Sequence, residues 1–462
     1  MTRTVIVGGG ISGLSSAYYL AKAGAASTIV ESRPRLGGVI QTEHVDGCTI
    51  EAGPDSFLSV KPAALDLIRE LGLADDVIGS NDHLRVTFVK RNGRLVPLPD
   101  GLMMMVPTKI MPLVTTRLVG IPTKIRMGME LLRAPKMKET DESVADFVRE
   151  HYGQEAVDYL AEPLLSGIYG GDPRQLSVTA VLPRFVELAS KYGSLTRGVL
   201  AMRAQAPKGQ QTAPLFRTLR GGLGQMVDGV KAFIEDKTEV VRGRVEAIER
   251  ADAGYRVRVA EDWMAADRVV LACEAHNAGP LAAPLDPRLG ELLGGVAYSS
   301  SMTVALGYDA ADFARPPVGF GFLVPKKERR RLVACTWVGT KFSHRVPDGK
   351  VVARCFLGGT QDAGVLIESD DTVTAAVTGE LRDIAGVTAR PRFVRIFRWP
   401  RSMAQYTVGH PGRLAEIESR VAQLPGLYVA GNAYQGIGIP DCIRMGRAAA
   451  EKILAAVPLP QK

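Results

Sequence analysis

Gly8, Gly10 and Gly13 stand in the order Gly-x-Gly-x-x-Gly directly after the apolar run Val5-Ile6-Val7, and Glu31 follows 18 residues after the last of them. Residues of these types at this spacing bind the diphosphate of a dinucleotide. The first two glycines let the backbone turn and approach a pyrophosphate, and the third lets helix and strand pack closely. The N-terminus of the helix that follows, with Ile11 and Ser12 in the turn before it, offers unpaired N–H groups to the phosphate charge. Glu31 suits hydrogen bonding to an adenosine ribose, and its charge repels a 2′-phosphate, so FAD or NAD is favoured over NADP. No nucleophilic Ser/His/Asp constellation is evident. His44, His83, His151, His276, His344 and His410 form no His-x-x-x-His ladder, and Cys48, Cys273, Cys335, Cys355 and Cys442 contain no Cys-x-x-Cys pair. Neither a metal site nor a disulfide framework is indicated, a reducing cytosol fits, and no side chain is assigned as general base.

The elements that must position these residues begin with a β-α-β unit: a strand over Thr4–Val7, the glycine turn, a helix over Leu14–Ala23 and a strand over Ser27–Val30. Helical spacing returns over Lys61–Leu73, and strands flank the turn Asn92-Gly93 within Arg85–Leu98. From Gly101 to Ala206 the period is helical, for example Glu142–Tyr152 and Gln154–Leu165, followed by a loop at Gly167–Asp172. Ala206–Pro214 lacks any apolar period and reads as a surface linker. Gly221-Gly222-Leu223-Gly224 opens a helix, strands follow over Thr238–Ile248 and Tyr255–Val259, and Val269–Ala272 is a buried run. Strands dominate Met302–Leu357, a short helix covers Asp371–Ile384, and the tail returns to strand (Leu427–Val429) and helix (Pro440–Ala456). The basic run Lys326–Arg331 reads as a solvated turn.

At about 150 residues per domain, 462 residues make roughly three units, enough to enclose a large cofactor. With 46% hydrophobic and 23% charged residues the chain is an ordinary α/β protein, not a disordered, collagenous or disulfide-stapled one. The balance 57 − 49 = +8 suits solubility, an anionic ligand or an anionic membrane surface. No secretory leader precedes Val5, and the most apolar stretch, Gly101–Val119, is interrupted by Pro107, Lys109, Pro112 and Arg117, although its Leu102–Val106 head could touch a bilayer. The expected architecture is α/β: a discontinuous Rossmann-like dinucleotide domain (1–80, 215–275 and 425–462), an α+β substrate-binding domain (81–100 and 276–424), and a helical, membrane-facing subdomain (101–214).

The continuation Glu31-Ser32-Arg33-Pro34-Arg35-Leu36-Gly37-Gly38 adds an arginine and a glycine pair after the ribose carboxylate, and it resembles the flavin-dependent amine oxidase superfamily. Leu219-Arg220-Gly221-Gly222-Leu223-Gly224, Glu239–Val245 and the tail Ala430-Gly431-Asn432 to Gly438-Ile439-Pro440-Asp441-Cys442 are similar to the same superfamily. The resemblance implies non-covalent FAD, with Ser32, Arg35, Gly37 and Gly38 at the diphosphate and ribityl chain and Val245 at the adenine. Gly53, Pro54, Asp55, Ser56, Gly431, Asn432, Gly438 and Ile439 complete the implied cofactor set. A helix beginning at Pro440 would direct its positive end at the flavin pyrimidine edge, where reduction adds negative charge.

Four strings resemble, end to end, the protoporphyrinogen and coproporphyrinogen oxidases of haem biosynthesis: Glu51–Phe57, Ser166–Pro173 with Leu176-Ser177, Arg398–Tyr406, and Gly436–Cys442. Amine oxidases proper fit worse, because Gly438 stands where their aromatic cage needs a ring. The resemblance implies oxidation of a porphyrinogen by hydride transfer to flavin N5, with molecular oxygen as acceptor, hydrogen peroxide released, and other haem-pathway enzymes as partners. It places Gly167 and Tyr169 beside the macrocycle and Lys61 near a propionate. Plant-type enzymes carry a propionate-binding arginine where this chain has Thr87; Arg85 is the candidate replacement. The segments Val106–Lys109 and Ile121–Lys124 look nearer to Gram-positive-type enzymes, associated with coproporphyrinogen III, with protoporphyrinogen IX the alternative. An amine or polyene oxidase and a non-catalytic porphyrin carrier are the rival classes. Nucleic acid is not an implied partner, and the cytoplasm, with peripheral contact at its membrane, is the implied location.

Overall fold

The computed structural model describes residues 3–135, 140–205 and 213–456, which form two compact units. The described parts of 1–80, 214–297 and 412–462 make the first unit; those of 81–213 and 298–411 make the second. Helices Ala275–Ala282 and Pro287–Gly294 therefore belong to the first unit, and the helical segment after Gly101 shares the second with a large sheet. The linker read at Ala206–Pro214 lies, but for its last two residues, outside the described residues.

The first unit is built on a five-stranded parallel sheet. Its strands are β1 (Thr4–Val7), β2 (Ser27–Glu31), β3 (Thr238–Arg242), β4 (Arg268–Leu271) and β5 (Leu427–Val429), in the order β3-β2-β1-β4-β5. Val5, Ile6, Ile29, Val269 and Val270 are fully buried, as continuous apolar runs must be in a sheet covered on both faces. Helix α1 (Ile11–Lys22) follows β1, and helix α2 (Ile439–Ala455) packs along it. Their backbones approach closely because Gly446 meets Ser12: a Cβ on Gly446 would stand 2.3 Å from the Ser12 carbonyl oxygen, and Ser16 Oγ donates to Gly446 O at 3.0 Å. Helix α2 starts one residue before the expected Pro440, which occupies the second helical position.

The second unit carries a seven-stranded sheet ordered Phe393–Gln405, Ala297–Asp309, Lys350–Gly359, Ala334–Trp337, Gly321–Leu323, Thr87–Arg91 and Arg94–Pro97. The hairpin around Asn92-Gly93 closes this sheet, with both turn residues at positive φ (50° and 74°), the geometry that Asn-Gly favours. Met302, Val304 and Leu306 face Val373, Val377 and Leu381 of helix Asp370–Ala385 in the buried core.

Three expectations need correction. The helical period ends at Leu165, yet the helix continues from Glu162 to Tyr169 and stops only at left-handed Gly170 (φ 57°). A glycine inside a helix costs about 1 kcal/mol, which Gly167 does not prevent. Secondly, the Leu102–Val106 head is a small hairpin whose Met105 and Val106 are buried. The exposed apolar residues lie further on, at Ile110, Met111, Ile121, Ile125, Met129 and Leu132. Thirdly, Lys326–Arg331 does form a turn with Lys326, Lys327 and Arg330 exposed, but it is not merely solvated. Each of its five cations is ion-paired: Lys326 with Asp172, Lys327 with Asp158, Arg329 with Glu162, Arg330 with Asp383 and Arg331 with Glu368. Those partners are remote in sequence, so local charge pattern does not reveal them.

A buried carboxylate organises the helices of the second unit. Glu130 is 2% exposed and accepts from His151 Nδ1 (2.9 Å), Ser194 Oγ (2.7 Å) and the Leu195 N–H (2.6 Å), which ties helix Val144–Tyr152 to the start of helix Leu195–Gln205. Burial alone would raise its pKa; the hydrogen bonds from His151, Ser194 and Leu195 outweigh it and hold the carboxyl below its ordinary value. A depressed folded-state pKa contributes stability above the unfolded pKa of about 4.3 and loses it as pH falls through the folded value. Glu130→Gln is expected to lower stability at pH 7 by about 1–3 kcal/mol and to flatten the acid limb of Tm against pH. Parallel acid limbs in variant and wild type would contradict this assignment.

Candidate functional site

Each glycine of the first motif has a distinct geometric reason. Gly8 turns the chain out of β1 at φ 105°, and a Cβ there would lie 3.0 Å from Ala272 O. Gly13 packs on that turn so closely that a Cβ would stand 2.0 Å from Gly8 O. Gly10, the N-cap of α1, has ordinary extended backbone (φ −70°, ψ 178°), and a Cβ on it would meet nothing within 4 Å. Neither the conformation nor the packing of the protein requires glycine there, and its backbone is left open to close approach from that space. Helix α1 has no side-chain cap and no acidic residue in its first turn, so the N–H groups of Ile11, Ser12 and Gly13 face the same space uncapped.

Glu31, at the end of β2, is buried at 8% exposure. Its Oε2 accepts from the Gly9 N–H at 2.7 Å and its Oε1 from the Arg33 N–H at 2.7 Å, which locks the carboxylate beside the turn and leaves lone pairs on both oxygens. The following loop closes on the motif: the Gly37 N–H donates to Gly9 O at 2.8 Å, and a Cβ on Gly38 (φ 59°) would reach the Gly10 Cα at 3.1 Å. Arg35 shapes this loop by donating from Nη1 to Ile40 O at 3.0 Å and from Nη2 to Gly38 O; Nε makes neither contact. Ser32 is exposed at the loop's start.

Distant segments converge on this turn. The Gly243 N–H donates to Glu31 O at 3.0 Å, bringing Val245 to the β2 edge at the head of strand Val245–Arg250. Gly53 crosses Val39 so tightly that a Cβ would stand 2.0 Å from Val39 O, and this crossing carries Pro54, Asp55 and Ser56; Ser56 Oγ donates to Asp55 Oδ1 at 2.6 Å. From the tail, Gly431 and Asn432 follow β5 after Ala430. Gly431 (φ 148°) has only Cys273 O (3.8 Å) and the Tyr434 ring (3.9 Å) near a would-be Cβ. Gly438 caps α2 ahead of Ile439.

The start of α2 carries a charge pair that sequence spacing does not disclose. Asp441 Oδ2 accepts from the Gly438 N–H at 3.3 Å and from Lys61 Nζ at 2.6 Å. A carboxylate at this end would offset the positive helix terminus; the Lys61 ammonium compensates it. Lys61 thus sits in the first unit with a fixed anionic partner and a half-exposed side chain. In the second unit, Gly167 is exposed with Leu323 3.3 Å from its would-be Cβ, and Tyr169 is half-buried, its carbonyl accepting from Gln405 Nε2 at 2.7 Å. Arg85 is exposed, and among the described residues its guanidinium acts on the Asp100 carboxylate through charge, without a hydrogen bond or ion pair. The fold thus gathers every expected cofactor residue, with Lys61, into the first unit, while Gly167, Tyr169 and Arg85 belong to the second.

A family model described as flavin containing amine oxidoreductase matches residues 11–454. The chain belongs to the flavin containing amine oxidoreductase family. Coproporphyrinogen III oxidase of Bacillus subtilis (strain 168) is 34% identical to this flavin oxidoreductase over 98% of each chain. Chloroplastic protoporphyrinogen oxidase 1 of Arabidopsis thaliana is 28% identical over 96% of this chain and 86% of its own. A crystal structure of a protein from Exiguobacterium sp. 255-15 superposes with a TM-score of 0.88 at 34% identity, covering 99% of both chains.

Sequence reasoning passed over Gly9, Asp441 and Arg329 in this flavin oxidoreductase. Gly9 was legible as the middle glycine of the run Gly8-Gly9-Gly10, and in the structure a Cβ there would meet the end of the Leu36 side chain at 2.4 Å and Glu31 Oε2 at 3.2 Å. Asp441 and Arg329 act through partners 380 and 167 residues away. The different roles of the motif glycines give a direct contrast. Gly13→Ala is expected to prevent folding. Gly10→Ala is expected to fold, at a capping cost of about 1 kcal/mol, and to bind FAD about tenfold more weakly or worse, equivalent to about 1.4 kcal/mol. Titration of the apoprotein with FAD reads this, and unchanged affinity in Gly10→Ala contradicts the phosphate approach.

Proposed function

We propose that this chain is a porphyrinogen oxidase holding non-covalent FAD, whose substrate is coproporphyrinogen III and whose product is coproporphyrin III. The observation that carries the reading is the combination of a glycine at Gly10 that the protein's own packing does not require with end-to-end likeness to the Bacillus subtilis enzyme. Protoporphyrinogen IX is the second reading, favoured by the likeness to the Arabidopsis thaliana enzyme across 96% of the chain.

In this reading the diphosphate lies against Gly10 and the uncapped N–H groups of Ile11 to Gly13, Glu31 takes the ribose, and Gly37, Gly38 and Arg35 shape the wall of the groove. Val245 meets the adenine through its backbone, and Gly53 to Ser56, Gly431, Asn432, Gly438 and Ile439 line the remainder. A bound flavin supplies a two-electron acceptor that dioxygen restores, with hydrogen peroxide as the reduced product. The protein's part is binding, orientation and electrostatics. The N-terminus of α2, kept positive by Lys61 against Asp441, favours the negative charge gained on reduction. Gly167 and Tyr169 are the proposed macrocycle contacts. Arg85, exposed and without a hydrogen-bonded partner among the described residues, and Lys61, with two donors beyond its Asp441 contact, are the proposed propionate cations. No side-chain general base is required, because loss of pyrrole N–H and bridge C–H protons proceeds through tautomers of the substrate.

Among the described residues no helix is long and apolar enough to cross a membrane. Ile121, Ile125, Met129 and Leu132 recur at helical spacing with exposures of 57–85%, which supports peripheral contact with a membrane or with another haem-pathway enzyme. Mixed anaerobically with the purified holoprotein, coproporphyrinogen III is expected to bleach the flavin band faster than protoporphyrinogen IX, and air is expected to restore it with release of peroxide. Faster bleaching by protoporphyrinogen IX selects the second reading. An unbleached flavin with both, despite tight porphyrin binding, means a carrier. Sedimentation of the same preparation with anionic vesicles decides between the two peripheral partners.

A further inference from the structure

The helical turn that bears Gly167 and Tyr169 is weakly held by its own helix. A π-helical turn over Val157–Ala161 precedes it, and Pro163, in its first turn, has no N–H to donate. Side chains fix it instead. Glu162, 5% exposed, accepts on Oε1 from Ser166 Oγ (2.7 Å) and from Arg329 Nη2 (2.9 Å), and on Oε2 from the Lys326 N–H (2.9 Å). Arg329 is itself pinned, donating to Val324 O from Nε (3.1 Å) and Nη2 (2.9 Å). The arm that carries it is braced from behind, where Glu380 accepts from the Arg331 N–H at 2.9 Å. At the far end of the turn, Gln405 Nε2 holds Tyr169 O and the Thr360 N–H holds Gly170 O at 3.0 Å.

A buried ion pair is seldom stabilising in itself, since an apolar pair of similar volume often does as well, but it specifies orientation, because each partner tolerates few positions of the other. The Arg329 side chain is 11% exposed and that of Glu162 7%, so the pair is of this kind. We propose that Arg329 is a positioning residue for the porphyrinogen: through Glu162 it sets the orientation of the helical turn that presents Gly167 and Tyr169. This rests on the porphyrinogen oxidase reading. Arg329 is not placed as a substrate contact, since its Nε and Nη2 donors are engaged by Val324 O and Glu162. Displacement of a contact surface by about 1 Å can cost about 100-fold in rate, so the device acts on turnover and not on flavin binding, whose residues lie in the other unit.

The test compares Arg329→Met, the charge-free double variant Glu162→Gln/Arg329→Met, and Arg329→Lys, each as flavin-loaded protein, in anaerobic reduction by coproporphyrinogen III or whichever porphyrinogen reduces the wild type. Rates are expressed per bound flavin. The double variant removes the unpaired buried charge that could stop Arg329→Met from folding. Expected results are wild-type flavin content, flavin reduction slowed about tenfold or more in both Met variants, unchanged reoxidation by air, and substantial recovery in Arg329→Lys. Wild-type reduction rates per flavin in the double variant would overturn the proposal while leaving the oxidase reading intact. A wild-type flavin that no porphyrinogen reduces overturns both.

Discussion

The close crossing of α1 over the end of β1 is the constraint on which the rest of the first unit depends. At Gly13 the helix backbone comes so near the Gly8 carbonyl that a single methyl group would stand 2.0 Å from it. That approach aims the uncapped end of α1 at the space beside Gly10, and the turn then orders its surroundings: Gly9 holds Glu31, Gly37 returns to Gly9, and α2 lies along α1 through Gly446. A binding groove for an anionic nucleotide arises from backbone geometry, with side chains mainly excluding alternatives. The large parallel-sheet core provides the stiffness, since its strands are buried on both faces.

Charge is handled differently in the two units. Beside the groove, Asp441 would weaken the positive helix end, and Lys61 restores it from 380 residues away in the chain. In the second unit the cations of the Lys326–Arg331 arm are neutralised by carboxylates on other elements, so the arm is a brace and not an anion site. The net charge of +8 is therefore no measure of the charge offered to a substrate. Arg85 is exposed with no hydrogen-bonded partner among the described residues, and Lys61 keeps donors to spare, which is consistent with the proposal that these two meet propionates.

Local rules made much of this legible. The β-α-β unit, the Asn92-Gly93 hairpin, the buried run at Val269 and the tail helix follow from periodicity and turn chemistry acting over a few residues. The glycine motif and Glu31 were readable because their spacing is itself the geometry. What escaped is non-local. Nothing near Lys326 announces Asp158, Glu162 or Asp172, and nothing near Lys61 announces Asp441. The continuation of the helix through Gly167 escaped for a related reason, since glycine propensity disfavours it while Glu162, Ser166 and Gln405 hold it. The exposed face of Ile121, Ile125 and Met129 had a visible period, but periodicity alone does not separate a buried stripe from an open one.

Central to all of this is that backbone from the start, middle and tail of the chain encloses one flavin nucleotide. The most direct measurement is to denature the purified protein and to identify and count the nucleotide released. The account predicts a yellow protein that yields FAD, close to one per chain and free of any covalent link. A colourless protein that takes up no added FAD, or one that retains NAD in its place, would contradict it.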